Sequence, residues 1–181
     1  MNLNVFWKPR KAFEDALDNP SAAGAFIIVL LTGVILGATQ MLFLGNAFSA
    51  GTTVILNIVE WIVLAIVVWF FSFMFKKHKK LSEIEFGQVL SVTGRLWVLV
   101  LAASILLLIG AIALAANLLL LVMLAVLLLV IVAILFLIAL FVMVKLVFDA
   151  DRGAAALLWI LLIVLDALLI AVGQLAILRL F

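Results

Sequence analysis

The sequence predicts an all-α integral membrane protein, a bundle of five transmembrane helices preceded by an N-terminal amphipathic helix at the membrane interface. Of its 181 residues, 71% are hydrophobic and 11% are charged, whereas a soluble domain is about half apolar and about a quarter charged. So short a chain cannot bury that much apolar surface within itself. The apolar residues instead form five runs, each at or above the ~20 residues that span a bilayer. We therefore expect a single membrane domain over residues 1–181.

Residues 5–18 are predicted to form the interfacial helix. Phe6, Phe13 and Leu17 recur at helical spacing between charged side chains, and Trp7 favours the headgroup region. A second helix start is expected directly afterwards, because Asn19 can act as an N-cap with Pro20 at the first helical position.

The five spans are predicted at about residues 21–44, 52–75, 89–113, 118–147 and 154–178. Gly33 and Gly37 in the first span form a GxxxG motif, which lets a neighbouring helix approach closely. The fourth run is longer than a bilayer requires, so this helix is expected to tilt or to project past the headgroups.

Capping residues predict where three of these helices begin. Ser82 and Glu85 match a capping box ahead of the third span, with Ser82 as the N-cap. Asn117 and Asp151 are the expected N-caps of the fourth and fifth spans.

The run Lys76-Lys77-His78-Lys79-Lys80 determines the predicted orientation. Five spans divide the eleven Lys and Arg residues into ten on one side and Arg179 alone on the other. Because basic residues are retained on the cytoplasmic side, we expect the N-terminus inside and the C-terminus outside. The lysines of this run should also attract anionic lipid headgroups. These are Lys76, Lys77, Lys79 and Lys80.

Composition argues against most chemical functions. The chain has no cysteine and one histidine, which excludes disulfides, thiol catalysis and Cys- or His-cluster metal sites. No basic face with interleaved aromatic residues suggests nucleic acid, and no motif indicates a cofactor. Asp149 and Asp151 form a DxD that, with Glu83 and Glu85, leaves open a metal-dependent enzyme of lipid phosphates. Helix capping is the favoured interpretation of these carboxylates.

Three ionisable residues fall at membrane depth, where charge is costly and usually faces protein or water. Glu60 and Asp166 lie at matching depth, while Arg95 lies nearer the cytoplasmic side and either reaches toward Asp166 or extends back to the headgroups. The carboxylates indicate either a proton or cation path or hydrogen bonding between helices, with Asn57 and Gln174 nearby. We favour hydrogen bonding, because no span contains the proline breaks typical of transporter sites.

Three segments form a pattern: the stretch from Phe86 to Gly94, the stretch from Asp151 to Ala156, and the opening from Pro9 to Phe13 followed by Asn19-Pro20. Together they resemble the Yip1-domain family of small five-helix membrane proteins. The resemblance covers nearly the whole chain as a pattern of spans. It implies a cytoplasmic N-terminus and, in eukaryotic members, a role in vesicle traffic with Rab GTPases.

The chain departs from that pattern in two places. Arg95-Leu96-Trp97 stands where the third span often begins with proline. The long cytoplasmic N-terminal region of the eukaryotic trafficking members, with its acidic aromatic motif, is also missing. The short termini favour a prokaryotic cell membrane. The expected function is a non-enzymatic scaffold that organises the membrane through lipid or protein partners, or through a homo-oligomer. The alternative is a small oligomeric ion or proton channel that uses Glu60 and Asp166.

Overall fold

The computed structural model describes residues 3–74 and 84–179, and within these ranges the chain is entirely helical. This confirms the predicted all-α class. The lysine run and Ser82 lie outside the described residues. A 3-10 turn over Leu3–Val5 precedes six helices: α1 (Pro9–Asp18), α2 (Ala22–Leu44), α3 (Ala47–Met74), α4 (Phe86–Ala115), α5 (Leu119–Val147) and α6 (Arg152–Arg179).

Four helices in the described ranges are long and apolar enough to cross a membrane, which indicates a multi-pass membrane protein. They are Ala22–Phe43, Ala47–Met74, Phe86–Ala115 and Leu119–Val147. Successive helices alternate in direction, so α2, α4 and α6 all begin at one end of the bundle, here termed the N-terminal face.

The start of α2 differs from the prediction. Asn19 still belongs to the end of α1, because its amide donates to Asp15 O at 3.0 Å. The N-cap is Ser21, whose Oγ accepts from the Gly24 amide at 3.2 Å. The predicted Asn19 cap was therefore wrong by two residues.

The turn between α2 and α3 is much shorter than expected. It consists of Gly45, in the left-handed region at φ 65°, and Asn46. The Asn46 side chain accepts from the Phe48 amide at 2.9 Å and so serves the first turn of α3. Because of this cap, residues 47–51 are helical rather than part of a loop.

The later helix starts confirm one predicted cap and correct two. Asp151 caps α6 through a 2.8 Å bond from the Ala154 amide. The capping box of α4 is formed by Glu85 with Gln88, three residues later than predicted. The cap of α5 is Leu118, and Asn117 instead adopts the left-handed conformation at φ 56° that reverses the chain.

Helices α2, α3 and α4 form the packed centre, and small residues allow their close approach. The GxxxG of α2 faces α3: a Cβ added at Gly37 would lie 2.7 Å from Ala50 O, and one at Gly33 would lie 3.1 Å from Val54 Cα. On its other side α2 meets α4, where a Cβ on Gly94 would lie 2.7 Å from Ala25 Cα. Backbone contact on two sides holds α2 closely against both neighbours, while α4 is the central helix, since it also packs against α1, α3 and α5.

Helix α1 packs against protein with the face that was predicted to enter the membrane interface. Ala12, Phe13 and Ala16 are buried against α4 and α5. The Gln88 side chain of α4 also donates to Leu17 O at 2.9 Å, which fixes the end of α1. An apolar stripe has the same spacing whether lipid or protein covers it, so the pattern alone did not distinguish the two. Trp7 is 86% exposed beside this helix.

Helices α5 and α6 lie at the periphery. In the most apolar 18-residue window of α5 only 6% is buried, against 28–39% in the other three candidate spans. Its buried residues concentrate near its C-terminal end, where Met143, Val144 and Val147 meet the cluster that contains Phe13. The final turns of this long helix thus pack against α1.

Candidate intramembrane polar site

Glu60 and Asp166 come together between α3 and α6. Glu60 lies 14 residues before Met74 and Asp166 lies 14 residues after Arg152, so at 1.5 Å per residue both lie about 21 Å along the helix axes from the N-terminal face. Their side chains are half-buried and lie close enough to interact across the boundary between α3 and α6. Residues at matched depth in the sequence are therefore neighbours in the structure.

This carboxyl pair has two chemical capabilities. A hydrogen bond between two carboxyl groups requires a proton on one of them, because an ionised carboxylate only accepts. With both groups ionised, the four oxygens would form a small acidic site for a cation. The same contact therefore serves either as a link between helices or as a place where a proton is exchanged.

Arg95 does not join this pair. It is half-buried in α4 and lines a cavity of about 310 Å³ between α2 and α4. Within the described residues the one ion pair links Arg10 and Glu14 at 2.8 Å, so Arg95 has no carboxylate partner there. Arg95 instead lies on the side of α4 that faces α2.

A buried polar network joins the three central helices. Asn57 of α3 donates to Val29 O of α2 at 2.7 Å and accepts from Trp97 Nε1 of α4 at 3.2 Å. Trp61 of α3 donates through Nε1 to Thr93 Oγ1 of α4 at 3.0 Å. In the described part of the chain, each buried side-chain nitrogen or oxygen has a hydrogen-bond partner.

The sequence pattern places Asn57 near the two carboxylates and does not by itself indicate this network. Gln174 was grouped with them too, and its side chain lies outside the described part of the structure. The spacing of the polar and aromatic residues in the second and third spans does indicate an interface between these spans. Asn57 and Trp61 are four residues apart, as are Thr93 and Trp97, so each pair occupies one helix face. Two such polar faces in adjacent spans indicate a shared interface.

The acidic residues near the helix starts have structural roles as helix caps and turn residues. Asp151 and Glu85 act as caps, and Asp149 occupies a left-handed turn position at φ 44°. No group of three metal-ligating side chains occurs among the residues that the structure describes. Glu83 and the four lysines predicted to bind lipid lie outside them.

Comparison of the chain with protein-family models, with curated proteins and with solved structures finds no match.

Proposed function

We propose that the chain is a non-enzymatic scaffold protein of the membrane that acts through lipid and protein partners. The observation that supports this most directly is the buried polar network. Its donors and acceptors are already engaged between helices, whereas a transport path needs polar groups that exchange partners with the transported species. A centre whose polar network is hydrogen-bonded between helices suits a protein that positions other molecules.

The proposal includes five spans with the N-terminus in the cytoplasm, in a prokaryotic cell membrane and with the architecture of the Yip1 family. The ten-to-one distribution of basic residues supports the orientation. The exposed apolar length of α5 supports a role through partners, since it leaves a long face for lipid, another membrane protein or a second copy.

The alternative function is an oligomeric proton or cation channel, which the contact between Glu60 and Asp166 favours. Reconstitution into liposomes separates the two functions. The scaffold predicts proton and potassium fluxes no greater than those of empty liposomes. The channel predicts a flux in the wild type that Glu60→Gln and Asp166→Asn both abolish.

The same variants test the hydrogen-bonded interpretation of the pair. A Gln amide at position 60 still donates to Asp166, so Glu60→Gln should unfold at nearly the wild-type temperature in detergent. Glu60→Leu removes the hydrogen bond and should lower stability by about 1–2 kcal/mol. A wild-type flux abolished by a Glu60→Gln variant that remains stably folded would contradict the scaffold function.

A further inference from the structure

The cavity beside Arg95 has one charged wall and one apolar wall. Polar side chains line the end near the N-terminal face, and apolar side chains line the remainder along α2. Its lining consists of Ser21, Gly24, Ala25, Ile27, Ile28, Leu31, Ser91 and Arg95. At about 310 Å³ it has the volume of a small-molecule site.

The polar wall presents hydrogen-bond donors. Arg95 carries a positive charge without a carboxylate partner in the described residues. Ser91 Oγ accepts from the Ser21 amide at 3.1 Å, and Ser21 Oγ accepts from the Gly24 amide at 3.2 Å. Both hydroxyl oxygens are thus used as acceptors, which leaves their hydrogens for another group. Ser91 is itself only 2% exposed. A guanidinium with two hydroxyl donors matches a phosphate.

The apolar wall continues from this end along the outside of α2. Ile27 and Leu31 are four residues apart on one helix face and are 56% and 47% exposed. They belong to a helix long and apolar enough to cross the membrane. Because helical side chains lean toward the N-terminus of their helix, Arg95 extends toward the end where α2 and α4 begin. A ligand in this cavity therefore meets charge near the membrane surface and hydrocarbon deeper in.

We propose that this cavity binds an anionic glycerophospholipid, with its phosphate at Arg95, Ser21 and Ser91 and one acyl chain along Ile27 and Leu31. Charge complementarity selects an anionic headgroup, and the apolar stripe within a membrane-spanning helix selects a lipid over a soluble phosphate. The inference does not depend on the proposed function, since a lipid bound here is compatible with either a scaffold or a channel.

Native mass spectrometry after release from nanodiscs provides the test. The nanodiscs contain phosphatidylcholine with a minor fraction of phosphatidylglycerol, or phosphatidylcholine alone. The wild type should retain phosphatidylglycerol selectively, and Arg95→Gln should weaken that retention about tenfold, the effect of losing a charge-assisted contact. Lys145→Gln removes the same charge from an exposed position of α5 and should retain phosphatidylglycerol as the wild type does.

A second variant avoids any effect of Arg95 on folding. Ile27→Trp fills the apolar wall from an exposed position and should reduce retention several-fold, whereas Phe26→Trp enlarges a neighbouring exposed side chain outside the cavity and should not. If Arg95→Gln and Lys145→Gln lost phosphatidylglycerol retention equally, the retention would depend on general surface charge, and the proposal would be overturned. So would equal retention of phosphatidylglycerol and phosphatidylcholine by the wild type, or retention by Ile27→Trp equal to that of the wild type.

Discussion

The Asn57 side chain connects three helices by itself. Its amide donates to α2 and accepts from α4 while its backbone belongs to α3. In a lipid solvent the hydrophobic effect does not hold helices together, so close packing and hydrogen bonds of this kind account for much of their association. One residue thus specifies the mutual register of the whole centre.

Replacing Asn57 with leucine, which is close to it in size, should lower the free energy of unfolding by about 1–2 kcal/mol, because two interhelical hydrogen bonds are lost. Unfolding in detergent, followed by tryptophan fluorescence, measures the change. Thr52→Val is the matched control, since the Thr52 hydroxyl bonds Phe48 O of its own helix at 3.0 Å. Equal stability of both variants would show that the network does not hold the helices together.

Gly94 gives a second test at the residue scale. A methyl group there would overlap Ala25 and force α2 away from α4, so Gly94→Ala should destabilise the protein by about 1–3 kcal/mol. Gly87 lies on the same helix with open space around it, and Gly87→Ala should leave stability unchanged or raise it by up to about 1 kcal/mol. Thermal unfolding of both variants checks the difference. A neutral Gly94→Ala would mean that the two helices separate at little cost.

The depth of a residue in the membrane can be predicted from the sequence, whereas the residues that it contacts cannot. Counting along a helix gives depth, and this count placed Glu60 and Asp166 at one level. It does not give the neighbour that a helix face meets, which depends on how the helices pack. For Arg95 the sequence left two directions open, toward Asp166 or toward the headgroups, and it did not indicate the face of α2 beside which Arg95 lies.

At the element scale, α1 is held by the bundle through Phe13, which is fully buried. Phe13→Ala should weaken the docking of α1 by about 3–5 kcal/mol. Hydrogen exchange of the α1 amides in nanodiscs would then become much faster. Trp7→Ala changes an exposed aromatic residue and should alter the exchange little. If neither substitution alters exchange, the membrane surface rather than the bundle holds α1.

The helices themselves were predictable because long apolar runs admit few alternatives in a membrane. Their ends were less predictable, since they depend on single side chains. Because the Asn46 side chain caps it, α3 begins earlier than predicted. Because Gln88 bonds the Glu85 amide, the capping box of α4 lies at Glu85 rather than at Ser82. Both residues have turn or polar character that also suits a loop, so composition did not separate the two outcomes.

At the scale of the whole molecule, α2, α3 and α4 hold the polar network and the closest glycine contacts, and α5 and α6 lie beside them with long exposed apolar faces. The carboxyl pair is formed where α6 meets α3. A protein partner could contact the long exposed side of α5, whereas the proposed lipid lies between α2 and α4.

The proposed topology can be mapped with single cysteines, since the chain contains none. Ala47→Cys and Ala116→Cys occupy exposed helix ends opposite the N-terminal face, and Asn19→Cys lies at that face. A membrane-impermeant maleimide should label the first two in intact cells and the third only after permeabilisation. A reporter fused after Phe181 tests the fifth span separately. A cytoplasmic reporter would contradict the proposed exit of the C-terminus.

The two-residue turn between α2 and α3 also has a consequence for biogenesis. Two helices joined so closely can enter the membrane together as a hairpin during synthesis. The hydrogen bond from Asn57 to Val29 O lies within this hairpin and requires no residue of α4. Glu60 meets Asp166 only when α6, the last helix, has been made. Truncation before α6 should therefore leave Glu60 without this partner, and we expect the truncated protein to be degraded faster than the full chain in a pulse-chase experiment.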